Sequence, residues 1–126
     1  PTTQRLTASI VIPTFGRGQV LLDTIDHLLR LPDRADEIIV VDQNAAHEPA
    51  VHDALANWAS GGAIRWIRLA KPSITHAMNR GLLEATGDFV LFVDDDIIPR
   101  GDLVGEHRRA HEDPSLPPQD RAIIAG

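Results

Sequence analysis

Short apolar runs, separated by segments of helical periodicity, form the main pattern of this chain. Residues 8–12, 37–41, 64–69 and 89–93 are strand-sized runs rich in β-branched and aromatic residues. The run at 37–41 is apolar without alternation, which is typical of a strand covered by helices on both faces of a parallel sheet. Pro13 is expected to end the first strand because proline has no backbone N–H.

Helical spacing marks the segments between these runs. Pro32 is expected to stop the first helix, and a short second helix covers residues 53–58. Ser73 can cap a third helix, for which Gly87 is expected to supply a left-handed stop, and Asp102 can cap a fourth. The chain therefore alternates strand and helix along its length.

Alternating strands and helices predict an α/β fold with a mostly parallel sheet and helices on both faces. A proline-rich loop at 114–118 precedes Ile123 and Ile124, which can form a last strand close to Gly126. A length of 126 residues with 43% hydrophobic residues supports one compact core. We therefore expect residues 1–126 to form a single domain or part of one, with the fold interrupted after its last strand.

Charge and composition exclude several classes of function. A net charge of -6 without a basic tract argues against a protein that binds nucleic acid or coats an anionic membrane. The absence of cysteine excludes disulfides, thiolate metal ligands and a cysteine nucleophile. The apolar runs are far shorter than the roughly 18 residues that a membrane span requires, so no transmembrane segment is expected. These features favour a cytoplasmic protein, or one peripheral to the inner face of a membrane.

Polar residues directly follow three of the predicted strands. They occupy positions 14–17, 42–44 and 94–96. In an open parallel sheet the ligand crevice lies beyond the carboxyl ends of the strands, so segments that are distant in sequence can meet at one edge. We therefore expect the functional site at this edge.

The triplet Asp94-Asp95-Asp96 is the strongest chemical feature of the sequence. Adjacent carboxylates repel one another unless a cation or hydrogen-bond donors offset their charge. In an extended backbone Asp94 and Asp96 face the same way, so two carboxylates can converge on one ion, and hard oxygen ligands favour Mg²⁺ or Mn²⁺. An isolated acidic triplet is more often a solvated turn, here one that precedes Pro99. The position of this triplet directly after a strand favours a metal-binding site instead.

Four segments together resemble the family 2 glycosyltransferases of the GT-A fold. They are IVIPTFGR at 10–17, IIVVD at 38–42, NRG at 79–81 with GD at 87–88, and FVDDD at 92–96 with Pro99. Each segment is weakly specific alone, but the resemblance covers nearly the whole chain in the family's order.

The resemblance implies a GT-A fold and a site for a nucleoside diphosphate sugar, with a UDP-sugar favoured, bound with Mn²⁺ or Mg²⁺. Thr14 and the residues around Asp42 would line the base and ribose pocket. The triplet would form the family's DxD motif, with Asp96 and Asp94 as metal ligands. The full set implied for the nucleotide sugar is Pro13, Thr14, Arg17, Asp42, Gln43, Lys71, Asn79, Arg80, Asp94 and Asp95.

The implied reaction is transfer of the sugar, with inversion, to a hydroxyl of an acceptor sugar or lipid-linked glycan. In this family the general base and the acceptor-binding loops lie beyond the segment that this chain matches. The catalytic base is therefore expected beyond Gly126, and the chain is expected to be the N-terminal, nucleotide-sugar-binding portion without the acceptor portion.

Two departures from the family pattern affect the donor site. Gln43 stands where the family often has a second acidic residue at the base-binding position, although an amide can also pair with uracil. Met78 stands where the family commonly has arginine before Asn79. Lys71 or Arg80 is therefore expected to supply the cation for the diphosphate, unless both are solvated surface charges.

Two other interpretations use part of the pattern. Residues 16–21 follow a strand and open a helix, as in a dinucleotide-binding Rossmann domain, but Leu21 replaces the third glycine and the acidic triplet stays unexplained. A non-catalytic sugar-nucleotide-binding module is the second alternative, because no catalytic base is evident.

Three histidines are weaker candidates. His107 and His111 lie one helical turn apart and could bind zinc, but the charged residues around them favour a solvated helix face. His76 lies near the expected diphosphate side, where a role on the helix surface is equally consistent with the sequence.

Overall fold

A computed structural model describes residues 6–99 and 101–112 in full and the backbone of 122–125. These residues form five strands and four helices in strict alternation. The elements are β1 (Ala8–Thr14), α1 (Gln19–Leu29), β2 (Glu37–Asp42), α2 (Pro49–Ser60), β3 (Arg65–Arg68), α3 (Ile74–Glu84), β4 (Phe89–Val93), α4 (Leu103–Glu112) and β5 (Ala122–Ala125). The strand order is β3-β2-β1-β4-β5 and every pairing is parallel, which confirms the predicted α/β class.

The first strand is longer than the sequence predicts. Pro13 does not end β1, because the strand continues to Thr14 and Pro13 pairs in register with Val41 of β2. The ladder between β1 and β4 stops at Val11, so Pro13 has a strand partner on one side only. Proline is tolerated in strands at such edge-like positions, where no neighbour requires its missing N–H.

The second helix also begins earlier than expected, at Pro49 instead of residue 53. Proline suits this first helical position because its missing N–H would have no intrahelical partner there. The predicted cap of α4 is confirmed, since a carboxylate oxygen of Asp102 accepts the Gly105 N–H at 3.2 Å. No helix in the described part of the chain is long and apolar enough to cross a membrane.

Gly87 is not the left-handed stop of α3. That helix ends at Glu84, and the described glycines with positive φ are Gly16, Gly62 and Gly101. Gly87 instead lies against β1, where an added Cβ would be 2.6 Å from Ser9 Oγ and 2.8 Å from Ser9 N. A glycine is needed here because the link into β4 passes too close to a central strand for any side chain.

Helices cover both faces of the sheet, as predicted. Residues from α1, α2 and α4 join one apolar cluster with inward side chains such as Ile10 and Leu91. On the other face α3 packs on Val11, against which a Cβ at Gly81 would come within 2.2 Å. The carboxyl ends of β1, β2 and β4 lie between α1 on one face and the start of α3 on the other.

Arg108 of α4 ties this helix to the loop after α1. Its side chain is only 4% exposed, and its guanidinium donates to both carboxylate oxygens of Asp33, each at 3.2 Å, and to Asp36 at 3.1 Å. It also donates to the carbonyls of Leu6 and Arg34. Burial alone would lower the pKa of Arg108, but the carboxylates of Asp36 and Asp33 raise it, so the group stays charged.

Replacing Arg108 by methionine is expected to lower the free energy of unfolding by about 2 kcal/mol. Breaking a fully buried ion pair costs about 3–5 kcal/mol. The expected loss is smaller because Asp33 and Asp36 keep 29% and 32% of their side-chain surface exposed. Urea unfolding followed by circular dichroism measures the change. Arg109→Met is the matched control, since its side chain is 63% exposed, and an equal loss in both variants would argue against the role of the network.

Candidate functional site

The polar strand ends predicted from the sequence meet around one cavity of about 680 Å³. Its volume lies within the range of small-molecule sites, roughly 300–1,000 Å³. It opens between the ends of β1, β2 and β4 and the start of α3. Its lining residues are Pro13, Phe15, Arg17, Gln43, Pro72, Ser73, Ile74, Met78, Phe92, Val93, Asp94, Asp95 and Asp96.

The acidic triplet lines this cavity in three different environments. Asp94 is exposed, the side chain of Asp95 is 13% exposed, and that of Asp96 is 46% exposed. The Thr14 hydroxyl donates to one oxygen of Asp95 at 2.8 Å, and Arg17 Nε lies 3.4 Å from the other. Arg17 Nη2 donates to Asp96 Oδ2 at 3.2 Å. Asp95 is therefore the anchored member, and Asp94 and Asp96 are the accessible ones.

A buried threonine of α1 supports the backbone of the triplet. The Thr24 hydroxyl lies 3.0 Å from the carbonyl of Asp95 and 3.1 Å from that of Ile97. Sequence reasoning missed this residue. The available signal is a polar residue within the buried apolar stripe of the helix, between Leu21 and Leu28.

Gln43 joins the end of β1 to the start of α3 at the edge of the cavity. Its side-chain oxygen accepts the Ser73 N–H at 2.6 Å, and its amide nitrogen donates to the Thr14 carbonyl at 3.4 Å. Ser73 caps α3 by accepting the His76 N–H at 3.3 Å, as the sequence predicts. The Gln43 amide therefore lines the cavity and holds two of its segments together.

Asp42 lies behind the cavity and does not line it. The residue is fully buried, and its carboxylate accepts four hydrogen bonds. The donors are the backbone and side-chain N–H groups of Asn44, at 2.9 Å each, His47 at 2.5 Å and the Trp66 indole at 2.9 Å. Burial raises the pKa of Asp42, but these hydrogen bonds outweigh burial and lower it overall. Asp42 therefore positions its neighbours from within the core.

Two cations expected at the diphosphate, Lys71 and Arg80, do not line the cavity in the described structure, and neither does Asn79, which was expected to contact the nucleotide sugar. Lys71, Asn79 and Arg80 are all exposed, and Arg80 Nε donates to Glu84 one turn along α3 at 3.3 Å. His76 is also exposed on this helix. Among the described residues that line the cavity, Arg17 is the cationic one.

The histidines of α4 differ from the expected solvated face. The ring of His111 stacks on the buried ring of Phe89, with centroids 4.5 Å apart and planes 13° apart. Burial and the nearby His107 lower the pKa of His111. Among the described residues no group of three or more His, Cys, Asp or Glu is arranged to hold a metal ion.

Residues 9–116 match the family model of glycosyl transferase family 2. The chain belongs to this family. It is 27% identical over 121 residues to the uncharacterized glycosyltransferase YfnE of Bacillus subtilis, covering 94% of this chain and 29% of YfnE. It is 28% identical over 90 residues to the amylovoran biosynthesis glycosyltransferase AmsB of Erwinia amylovora, covering 70% of this chain and 30% of AmsB. The chain thus spans less than a third of the length of these two relatives.

Solved structures share the fold. The mannosyltransferase PcManGT of Pyrobaculum calidifontis, in complex with GDP-Man and Mn²⁺, matches with a TM-score of 0.74 and 24% identity over 90% of this chain and 34% of that one. Residues 1–349 of S. aureus TarS, in complex with UDP-GlcNAc, match with a TM-score of 0.69 and 18% identity over 85% of this chain and 31% of that one. These neighbours and the parallel sheet confirm the predicted GT-A fold.

Proposed function

We propose that the cavity binds a nucleoside diphosphate sugar together with Mn²⁺ or Mg²⁺. The observation that carries the proposal is the meeting of the acidic triplet, Arg17, Gln43 and Phe15 around one cavity at the carboxyl ends of three parallel strands. The solved family neighbours named above hold GDP-Man with Mn²⁺ and UDP-GlcNAc, which supports this class of ligand. We take a UDP-sugar as the first donor to test.

The donor atoms present fit a divalent cation. Mg²⁺ and Mn²⁺ bind through oxygen and commonly take only one or two protein carboxylates besides the phosphates of a substrate. Asp96 and Asp94, the accessible carboxylates of the triplet, would hold the ion, and Asp95 stays anchored by Thr14. When bound, the cation would neutralise the negative charge that develops on the leaving diphosphate.

The base would bind between Gln43 and the ring of Phe15. Phe15 is 57% exposed at the cavity, which leaves its ring available for stacking on a planar base. The Gln43 side chain accepts from Ser73 through its oxygen and donates one N–H to the Thr14 carbonyl, so its second N–H is the donor that remains for a ligand. Sequence reasoning assigned Gln43 to the base and did not single out Phe15.

We further propose that this chain is the donor-binding portion of an inverting transferase, acting on an acceptor sugar or lipid-linked glycan. A carboxylate that coordinates metal is a poor general base, because the cation lowers its basicity, so the base lies outside the triplet. The family 2 relatives are more than three times as long as the matched segment, which leaves room for a base and acceptor groups elsewhere in such a protein.

Calorimetry of UDP and GDP with Mn²⁺, and again with EDTA, tests the donor site. We expect saturable binding of at least one nucleotide that disappears when EDTA removes the metal. Absence of binding by either nucleotide at millimolar concentration would contradict the proposal. A longer form of the protein that bound sugar nucleotide without transferring sugar would favour the non-catalytic binding module.

Replacing Phe15 by alanine is expected to weaken nucleotide binding about ten-fold, because stacking of a base on an aromatic ring contributes about 1–3 kcal/mol. Titration of UDP in the presence of Mn²⁺ measures the change. Leu83→Ala is the matched control, since Leu83 is 82% exposed on α3 and does not line the cavity. Unchanged affinity in Phe15→Ala would place the base elsewhere.

A further inference from the structure

Arg17 lies at the boundary between two cavities. It lines the 680 Å³ cavity of the acidic triplet and also a neighbouring cavity of about 350 Å³ beside the start of α2. Its side chain is 46% exposed. The side chain of Arg17 is therefore accessible from the cavity of the acidic triplet, unlike the buried side chain of Arg108.

The turn before Arg17 is anchored through the backbone of Gly16. The Gly16 N–H donates to the side-chain oxygen of Asn44 at 2.8 Å, and Asn44 in turn donates to the buried Asp42. Gly16 has a φ of 74°, a conformation that suits glycine and fixes the turn before Arg17. A fixed turn with an exposed long side chain allows the guanidinium to change partners while its Cα stays in place.

The contacts of this guanidinium are the carboxylates of the proposed metal site. Arg17 Nε lies 3.4 Å from Asp95 Oδ1, and Nη2 lies 3.2 Å from Asp96 Oδ2. Neighbouring carboxylates need a cation to offset their mutual repulsion, and the guanidinium supplies that charge. A divalent ion bound by Asp96 would compete with Arg17 for the same oxygen.

We propose that Arg17 occupies two positions in turn, and this inference rests on the proposed function. Before metal binds, its guanidinium neutralises Asp95 and Asp96. When a divalent ion binds Asp96, the guanidinium leaves the two carboxylates and binds the diphosphate within the cavity of the acidic triplet. The planar guanidinium can donate two parallel hydrogen bonds to paired phosphate oxygens. Arg17 thereby takes the role that the sequence assigned to Lys71 or Arg80, and it couples metal binding to nucleotide binding.

Replacement of Arg17 by methionine tests this exchange, because methionine keeps an unbranched side chain without the charge. Binding of Mn²⁺ alone, measured from the electron paramagnetic resonance signal of the free ion, is expected to become roughly five-fold tighter, since a competing cation is lost. Binding of UDP at saturating Mn²⁺, measured by calorimetry, is expected to weaken at least ten-fold, since a charged partner of the diphosphate is lost. A merely structural role would weaken both.

Arg30→Met is the matched control. Arg30 is also an exposed arginine in an ion pair, since its side chain is 77% exposed and lies 3.1 Å from Asp26, but it caps the far end of α1. It is expected to change neither affinity. If the wild-type chain binds UDP with Mn²⁺ but Arg17→Met shifts both affinities in the same direction, or leaves them unchanged, the inference is overturned alone. If the wild-type chain binds no nucleotide at all, the proposed function itself fails.

Discussion

Asp96→Ala is expected to abolish metal-dependent nucleotide binding, with a loss of affinity for UDP in the presence of Mn²⁺ of more than about 100-fold. Substitutions that only support a metal ligand already cost about 10–100-fold in metal affinity, and loss of a ligand itself costs more. Asp96 lines the cavity with a half-exposed carboxylate, and its one described partner is the half-exposed guanidinium of Arg17. Calorimetry with UDP and Mn²⁺ measures the change.

The effect should be specific to the triplet and to the metal. Asp26→Ala is a close control, because the Asp26 carboxylate is 44% exposed and pairs with an arginine at 3.1 Å, as Asp96 does at 3.2 Å. It is expected to leave UDP affinity unchanged. Unaltered affinity in Asp96→Ala, with the fold intact by circular dichroism, would refute the role of Asp96 as a metal ligand.

The main features of the fold follow from local patterns. Each buried strand is an apolar run that is visible in the sequence, and β4 ends where Asp94 begins. Because all strands are parallel, their polar ends lie at the same edge of the sheet. The segments after β1, β2 and β4 therefore line one cavity together. The family resemblance added the expected chemistry of that cavity.

The details that sequence did not predict depend on contacts between distant residues. Gly87 looked like a helix stop, but its proximity to Ser9, 78 positions earlier, is the constraint that requires glycine. The resemblance implied Arg17, Lys71 and Arg80 together for the nucleotide sugar, and of these three the turn after β1 brings Arg17 into the cavity. Sequence alone did not show which of these three cations reaches the cavity, because that depends on how distant segments pack together.

Asp42, at the end of β2, illustrates the same limit. An aspartate at a strand end has the same sequence signature whether it faces a ligand or the core. Here the indole of Trp66 and the imidazole of His47 turn its carboxylate inward. Asn44 then connects Asp42 to the turn at Gly16. Asp42 thus does not line the cavity, but it helps to fix two segments that border the cavity.

Asp42→Asn is therefore expected to destabilise the fold by about 3 kcal/mol at pH 7. Hydrogen bonds to a charged group contribute about 1.5–3 kcal/mol each, and a buried donor left without an acceptor costs about 1–3 kcal/mol. Asparagine keeps the shape of the aspartate side chain and one of its two oxygens. Its N–H₂ group, however, would point at N–H donors of His47, Trp66 or Asn44, which would lose their acceptor. Asp53→Asn is the control, since its side chain is 75% exposed on α2. Urea unfolding at pH 7 measures both variants.

The stabilisation by Asp42 should also depend on pH with a defined sign. The pKa of Asp42 in the folded protein lies below its ordinary value of 3.8, because hydrogen bonds to the carboxylate outweigh burial. Its contribution is therefore complete above pH 3.8 and is lost as the pH falls through the folded-state pKa. The wild-type protein should lose stability in acid partly for this reason, with Glu37, whose pKa is also lowered, contributing as well.

The difference in unfolding free energy between wild type and Asp42→Asn isolates the contribution of Asp42, and this difference should shrink between pH 7 and pH 2. A difference that stayed constant over this range would mean that the charge of Asp42 does not stabilise the strand end.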